Sequence, residues 1–122
     1  MTTSYLMDTS VLVEITKANP HYSKYEYAHT ITCSSIIQEL YFILLKKLGE
    51  KIAGEGADKL STALVDTDLS TIKRAMKFRL HHTQRNFSYA DAMAYITALE
   101  NGVIFLTADK AFKGLPNAEV VE

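Results

Sequence analysis

Four acidic residues stand where apolar runs meet helix-forming segments: Asp8 after Ser4 to Met7, Glu39 in an amphipathic stretch, Asp91 opening another, and Asp109 after Val103 to Leu106. Ionised carboxylates only accept hydrogen bonds, and two unit charges 4 Å apart repel by about 4 kcal/mol at an effective dielectric of 20. If the four converge, they need a cation or shared protons. Ligands that are all oxygen select hard ions, so Mg2+ or Mn2+ is favoured over zinc. Such an ion offsets charge on an attacked phosphate and supplies water for in-line displacement, so the implied chemistry is phosphodiester hydrolysis without a side-chain nucleophile. Each acid alone has a plainer reading. Asp and Glu cap helices and complement the helix dipole, an effect of about 0.3–1 kcal/mol, and Glu39, beside Leu40, could equally be a solvated flank. Thr9, Ser10 and Thr107 either orient a carboxylate or water, or serve as N-caps and strand ends.

Convergence depends on the elements. Ser4 to Met7 reads as a strand, and Ser10 to Ala18 places Val11, Leu12 and Ile15 at helical spacing until Asn19-Pro20. After a tyrosine-rich segment, His21 to His29, the stretch Thr30 to Cys33 reads as a second strand. Ser35 and Gln38 form a capping-box pattern ahead of the helix Ile36 to Leu48, which Gly49 ends. Gly54 and Gly56 punctuate a polar passage; helical character resumes over Ala57 to Leu64, and Leu64-Val65 is a brief third strand. Leu69 to His82 is a basic helix, and Ser88 with Asp91 caps another that stops at Asn101-Gly102. Val103 to Leu106 is a continuous apolar run suited to a strand buried on both faces; a short helix and a last strand, Glu119 to Val121, follow. Strands alternating with helices imply an α/β fold with a central, mostly parallel sheet. In such a sheet strand ends and following helix starts share one edge, where ligands bind, and all four acids fall on it.

The chain has 122 residues, which fits one domain spanning 1–122. Thirteen basic against fourteen acidic residues leave a net charge of −1, so any nucleic-acid contact must be local. From Leu69 to Ala90 there is no acid, while Lys73, Arg74, Lys77, Arg79 and Arg85 are present: a phosphate-contacting flank or a solvated helix face. The single cysteine, Cys33, excludes an intramolecular disulfide and reads as a small core residue. Gly49 and Gly54 have P-loop separation, but Glu55 replaces the lysine, and the adjacent His81 and His82 cannot face one metal from a regular helix. Tyr22, Tyr25 and Tyr27 read as loop aromatics packing on the core, and the crowded apolar face of Ile36 to Leu48 hints at self-association. No signal peptide or membrane span is evident, so a cytoplasmic location is expected.

Four segments together resemble the PIN-domain nucleases, above all the toxin halves of VapBC toxin–antitoxin pairs. They are Tyr5-Leu6-Met7-Asp8-Thr9-Ser10-Val11-Leu12, Ser35-Ile36-Ile37-Gln38-Glu39-Leu40-Tyr41, Ser88-Tyr89-Ala90-Asp91-Ala92-Met93-Ala94-Tyr95 and Leu106-Thr107-Ala108-Asp109-Lys110-Ala111-Phe112. The likeness runs from Tyr5 to Val121, with the middle, Lys46 to Arg85, similar only in outline. It implies a three-layer α/β/α sandwich and an Mg2+- or Mn2+-dependent endoribonuclease in which Asp8, Glu39, Asp91 and Asp109 gather the metal. It further implies a homodimer and, for a toxin, a cognate antitoxin whose tail occupies the groove beside the acids. Three alternatives stay open: an RNA-processing PIN nuclease, a haloacid-dehalogenase-type phosphatase with Asp8 as nucleophile, and a non-catalytic dimeric module whose acids only cap helices. Against the phosphatase, Ser10 stands where that family has a second Asp.

Overall fold

The computed structural model describes residues 3–122. Its four strands are β1 (Ser4–Met7), β2 (His29–Ile31), β3 (Ile104–Thr107) and β4 (Ala118–Val120). They form one sheet in the order β2-β1-β3-β4, and all three pairings are parallel. Its helices are α1 (Thr9–Thr16), α2 (Ser34–Leu48), α3 (Glu50–Ser61), α4 (Leu69–His81) and α5 (Tyr89–Glu100). Successive side chains of a strand point to opposite faces. Leu6 and Phe105 accordingly enter a core with Tyr95, Ile96 and Phe112, whereas Met7 and Leu106 pack against Val11, Tyr22 and Tyr25. Apolar cover on both faces makes this an α/β/α arrangement, as expected.

The central strands explain why Asp8 lies where it does. Registering Leu6 with Phe105 and Met7 with Leu106 brings the carboxyl ends of β1 and β3 side by side, and the Asp8 amide donates to the Leu106 carbonyl at 2.8 Å. α5 is buried nearly all round, through Ala92, Ala94, Tyr95, Ile96 and Ala98, and its alanines let it lie close to the sheet. Its partner α4 starts from Asp68, whose carboxylate accepts from the Thr71 amide at 2.9 Å.

Several local expectations are corrected. α2 is preceded by Cys33 without a side-chain cap, so the Ser35–Gln38 capping box does not form; the Ser35 hydroxyl lies 3.3 Å from the Cys33 sulfur instead. The polar passage through Gly54 and Gly56 is an unbroken helix, α3, despite the roughly 1 kcal/mol that each glycine costs. Packing outweighs that propensity. Ala53 is fully buried against α2, and a Cβ on Gly56 would lie 3.1 Å from Leu44 Cδ1, so one glycine permits the close approach. Leu64-Val65 supplies not a strand but one parallel bridge, Leu64 to Thr32. The apolar face of α2 is partly spent at home, since Ile36, Leu40 and Leu44 are buried while Phe42, Leu45 and Leu48 stay exposed. Of the three tyrosines, Tyr22 and Tyr25 are buried in a 3-10 turn and Tyr27 is exposed. His82 is half-buried, its ring against Phe78. Among the described residues no helix is long and apolar enough to cross a membrane.

Candidate active site

Asp8 is the pivot of the carboxyl edge. It ends β1, caps α1 through a 2.8 Å bond from the Thr9 amide to Oδ1, and is only 5% exposed. Its Oδ2 accepts from the Thr107 hydroxyl at 2.7 Å and from the Ser10 hydroxyl at 3.3 Å. Burial pushes its carboxyl up from 3.8 to about 6; the Thr107 bond opposes this, the charge of Asp91 adds to it, the Thr9 bond opposes it and Glu39 adds a smaller push. Asp8, Glu39 and Asp91 are therefore electrostatic neighbours, although their codons lie far apart.

Each of the other acids is held by one oxygen. Glu39, half-buried on α2, accepts from the Thr9 hydroxyl at 2.8 Å, so consecutive residues Asp8 and Thr9 link β1 to α2. Asp91 closes a capping box: its Oδ2 accepts from the Ser88 amide, and its own amide donates to the Ser88 hydroxyl, both at 3.0 Å. Asp109, exposed after β3, accepts from the Ala111 amide at 2.9 Å and donates its own amide to the Thr107 hydroxyl at 3.0 Å. Thr107 is thus a pin between Asp8 and the loop carrying Asp109. Of the three hydroxyl residues, Thr107 and Ser10 orient one acid and Thr9 another; none is itself an N-cap of α1, whose N-cap is Asp8.

The capping roles are real for Asp8, Asp91 and Asp109, yet they consume only part of the site. Among the described residues Glu39, Asp91 and Asp109 each keep a second oxygen without a protein donor, and none of the four acids forms an ion pair. The acids line one edge without closing on themselves: among the described residues no three metal-ligating side chains meet tightly enough to hold an ion. Both Asp8 oxygens already accept, Oδ2 from two hydroxyls and Oδ1 from the Thr9 amide alone, so Oδ1 keeps one lone pair for a cation. The donor set is nevertheless all oxygen, anionic and uncompensated, which suits a hard divalent cation.

The family model of the PIN domain matches residues 5–117. The chain belongs to the PIN-domain family. Sequence comparison with curated proteins finds no match. Among solved structures, this PIN domain is similar to a toxin–antitoxin complex from Klebsiella pneumoniae, with TM-score 0.80 and 17% identity over 97% of this chain and 98% of that one. It is equally similar to VapC20 of Mycobacterium tuberculosis, a sarcin–ricin loop cleaving toxin, with TM-score 0.80 and 18% identity over 97% and 99% of the two chains. A DNA-bound VapBC from Salmonella typhimurium follows with TM-score 0.73 and 16% identity over 98% and 97%. At such identities these likenesses establish the fold of this PIN domain.

Two features of its surroundings escaped the sequence reading. Arg85 donates to the carbonyls of Ala111, at 2.7 Å, and Lys113, at 3.1 Å, fastening the α4–α5 connection to the Asp109 loop. Tyr89, at the first turn of α5, lies over the Arg79 guanidinium. The acid-free run that contains both arginines was the only signal, and it did not say which of its cations are engaged.

Proposed function

We propose that this PIN domain, a single unit over residues 1–122, is a metal-dependent endoribonuclease and the toxin of a toxin–antitoxin pair. The observation that carries the reading is Asp8: a carboxylate buried at the carboxyl end of a central strand, close to the charges of Glu39 and Asp91, and without an ion-pair partner among the described residues. Membership of the PIN family and the resemblance in fold to a sarcin–ricin loop cleaving toxin support it.

In this reading Asp8, Glu39, Asp91 and Asp109 hold Mg2+ or Mn2+, as PIN nucleases generally use divalent metals. Bound there, the ion supplies positive charge at the attacked phosphate and eases loss of a proton from water. The chain does the rest. Thr107 and Ser10 fix the Asp8 carboxylate, Thr9 fixes Glu39, and Ser88 aims Asp91, so that the acids require little reorganisation when substrate arrives. With its carboxyl pushed only to about 6, Asp8 stays ionised at neutral pH and keeps its attraction for a cation. The enzyme works in the cytoplasm as a homodimer, and a cognate antitoxin covers the groove beside the acids.

The test is cleavage of single-stranded RNA with Mg2+ or Mn2+ added back after chelation. Asp8→Asn should lower the rate by at least about 100-fold, the upper end of what losing a mere outer partner of a metal site costs. Full activity in that variant overturns the reading. A neighbouring reading frame for a small DNA-binding protein separates a toxin from an RNA-processing enzyme.

A further inference from the structure

The connection between α4 and α5 carries a groove of about 430 Å3, within the roughly 300–1,000 Å3 range of small-ligand sites. Met76, Leu80 and Phe87 give it apolar surface, Asn86 gives it a polar edge, and Arg79 and Tyr89 form one wall. Leu80 is 69% exposed and Tyr89 64% exposed, an uncommon state for large apolar side chains next to each other on a groove.

That wall is preorganised. The Arg79 Nε donates to the Phe87 carbonyl at 2.8 Å, which fixes the guanidinium, and its ζ carbon lies 4.0 Å from the centroid of the Tyr89 ring. A cation on one face holds the ring in place and leaves the rest of its exposed surface to a visitor, so little side-chain freedom is lost on binding. Tyr89 also stands two residues before Asp91 on the same first turn of α5, which ties the groove to the acid edge.

Charge indicates what the visitor is. Residues Leu69 to Ala90 contain no acid. Arg74 is engaged by Glu100 and Arg85 by backbone carbonyls, but Lys73 and Lys77 are exposed and, among the described residues, form no ion pair. Helical spacing sets Lys73 and Lys77 on the same side of α4 as Leu80, which lines the groove. Free cations beside an exposed, clamped aromatic ring are the combination that receives single-stranded nucleic acid: the ring stacks on a base, and the lysines meet phosphates.

We propose that Tyr89, backed by Arg79, is the stacking platform for one unpaired base of the RNA substrate and holds the strand beside the acid edge to the same degree before and during cleavage. This rests on the RNA-nuclease reading above. Tyr89 is a positioning residue in it, since its ring meets a base and not the scissile phosphate.

The experiment compares wild type, Tyr89→Phe and Tyr89→Ala. Each is titrated into a fluorescein-labelled, mixed-sequence single-stranded RNA in EDTA, with anisotropy as readout, and each is then assayed for cleavage with Mg2+. Tyr89→Ala should bind roughly 10- to 100-fold more weakly, the loss of one base stack, and Tyr89→Phe should bind like wild type. In cleavage the alanine variant should raise KM with kcat nearly unchanged, a split that general damage to the fold would not give. An unchanged dissociation constant in Tyr89→Ala, in a chain that still cleaves RNA, overturns this inference alone and leaves the groove to a protein partner. A wild type that neither binds nor cleaves RNA overturns the nuclease reading and this inference with it.

Discussion

The same two strands serve two regions with opposite energetics. Toward one face of the sheet, Leu6 of β1 and Phe105 of β3 are fully buried among Tyr95 and Phe112, with the rings of Phe105 and Phe112 4.7 Å apart and those of Phe112 and Phe87 4.3 Å apart. Two residues further on, the same strands deliver Asp8 and Thr107 to an edge where a carboxylate is buried against the charges of its neighbours. The aromatic cluster stabilises the fold, and the acid edge costs stability. Placing the costly group directly at the end of a central strand, with its amide bonded to the neighbouring one, is what keeps it from relaxing away.

That contrast can be broken most severely at the core. Phe112→Ala should lose about 3–5 kcal/mol, enough to unfold much of the chain, as read by urea denaturation. Asp8→Asn should go the other way. The carboxyl titrates near 3.8 when unfolded and near 6 when folded, so the native state holds the extra proton between these values. The favourable contribution is complete below about pH 4 and gone above pH 6; without metal, Asp8→Asn should therefore exceed wild type by at most about 2–3 kcal/mol at pH 8, with the gap closing toward pH 4. Paired urea titrations at the two pH values in EDTA check the sign, and a constant gap would mean that Asp8 is not buried at a cost. Ser88→Ala should cost about 1 kcal/mol, read by urea denaturation, through loss of the hydroxyl that accepts from the Asp91 amide, while metal-dependent cleavage falls no further than that loss explains, because the Ser88 amide that holds the Asp91 carboxylate remains. Smallest is Gly54→Ala, expected to raise stability by about 0.5–1 kcal/mol in a helix position with open space around it. Gly56→Ala should gain less, since its new methyl meets Leu44.

The acid edge was readable from sequence because it depends on strand ends and helix starts, which apolar runs and caps mark well. Asp8, Asp91 and Asp109 each follow such a marker, and Ser88 with Asp91 forms the capping box its spacing suggests. The hairpin of α2 and α3 was less legible. Glycines at 54 and 56 signal a break locally, and only the close approach of Gly56 to Leu44 reveals what the helix gains from one of them; likewise Ser35 and Gln38 spell a cap that the chain passes over, starting α2 two residues earlier. What single positions could not convey was engagement. Arg79 and Arg85 look alike in sequence, yet one backs an aromatic ring and the other ties down the Asp109 loop, a difference set by long-range geometry.

The bond from Thr107 to Asp8 joins residues separated by 99 positions. A chain emerging from the ribosome therefore carries its first acid long before the hydroxyl that steadies it has been made. Until β3 has been synthesised and slotted beside β1, Asp8 has neither its Thr107 hydroxyl donor nor the Leu106 carbonyl that receives its amide, so the acid edge takes shape only when nearly the whole chain has been made.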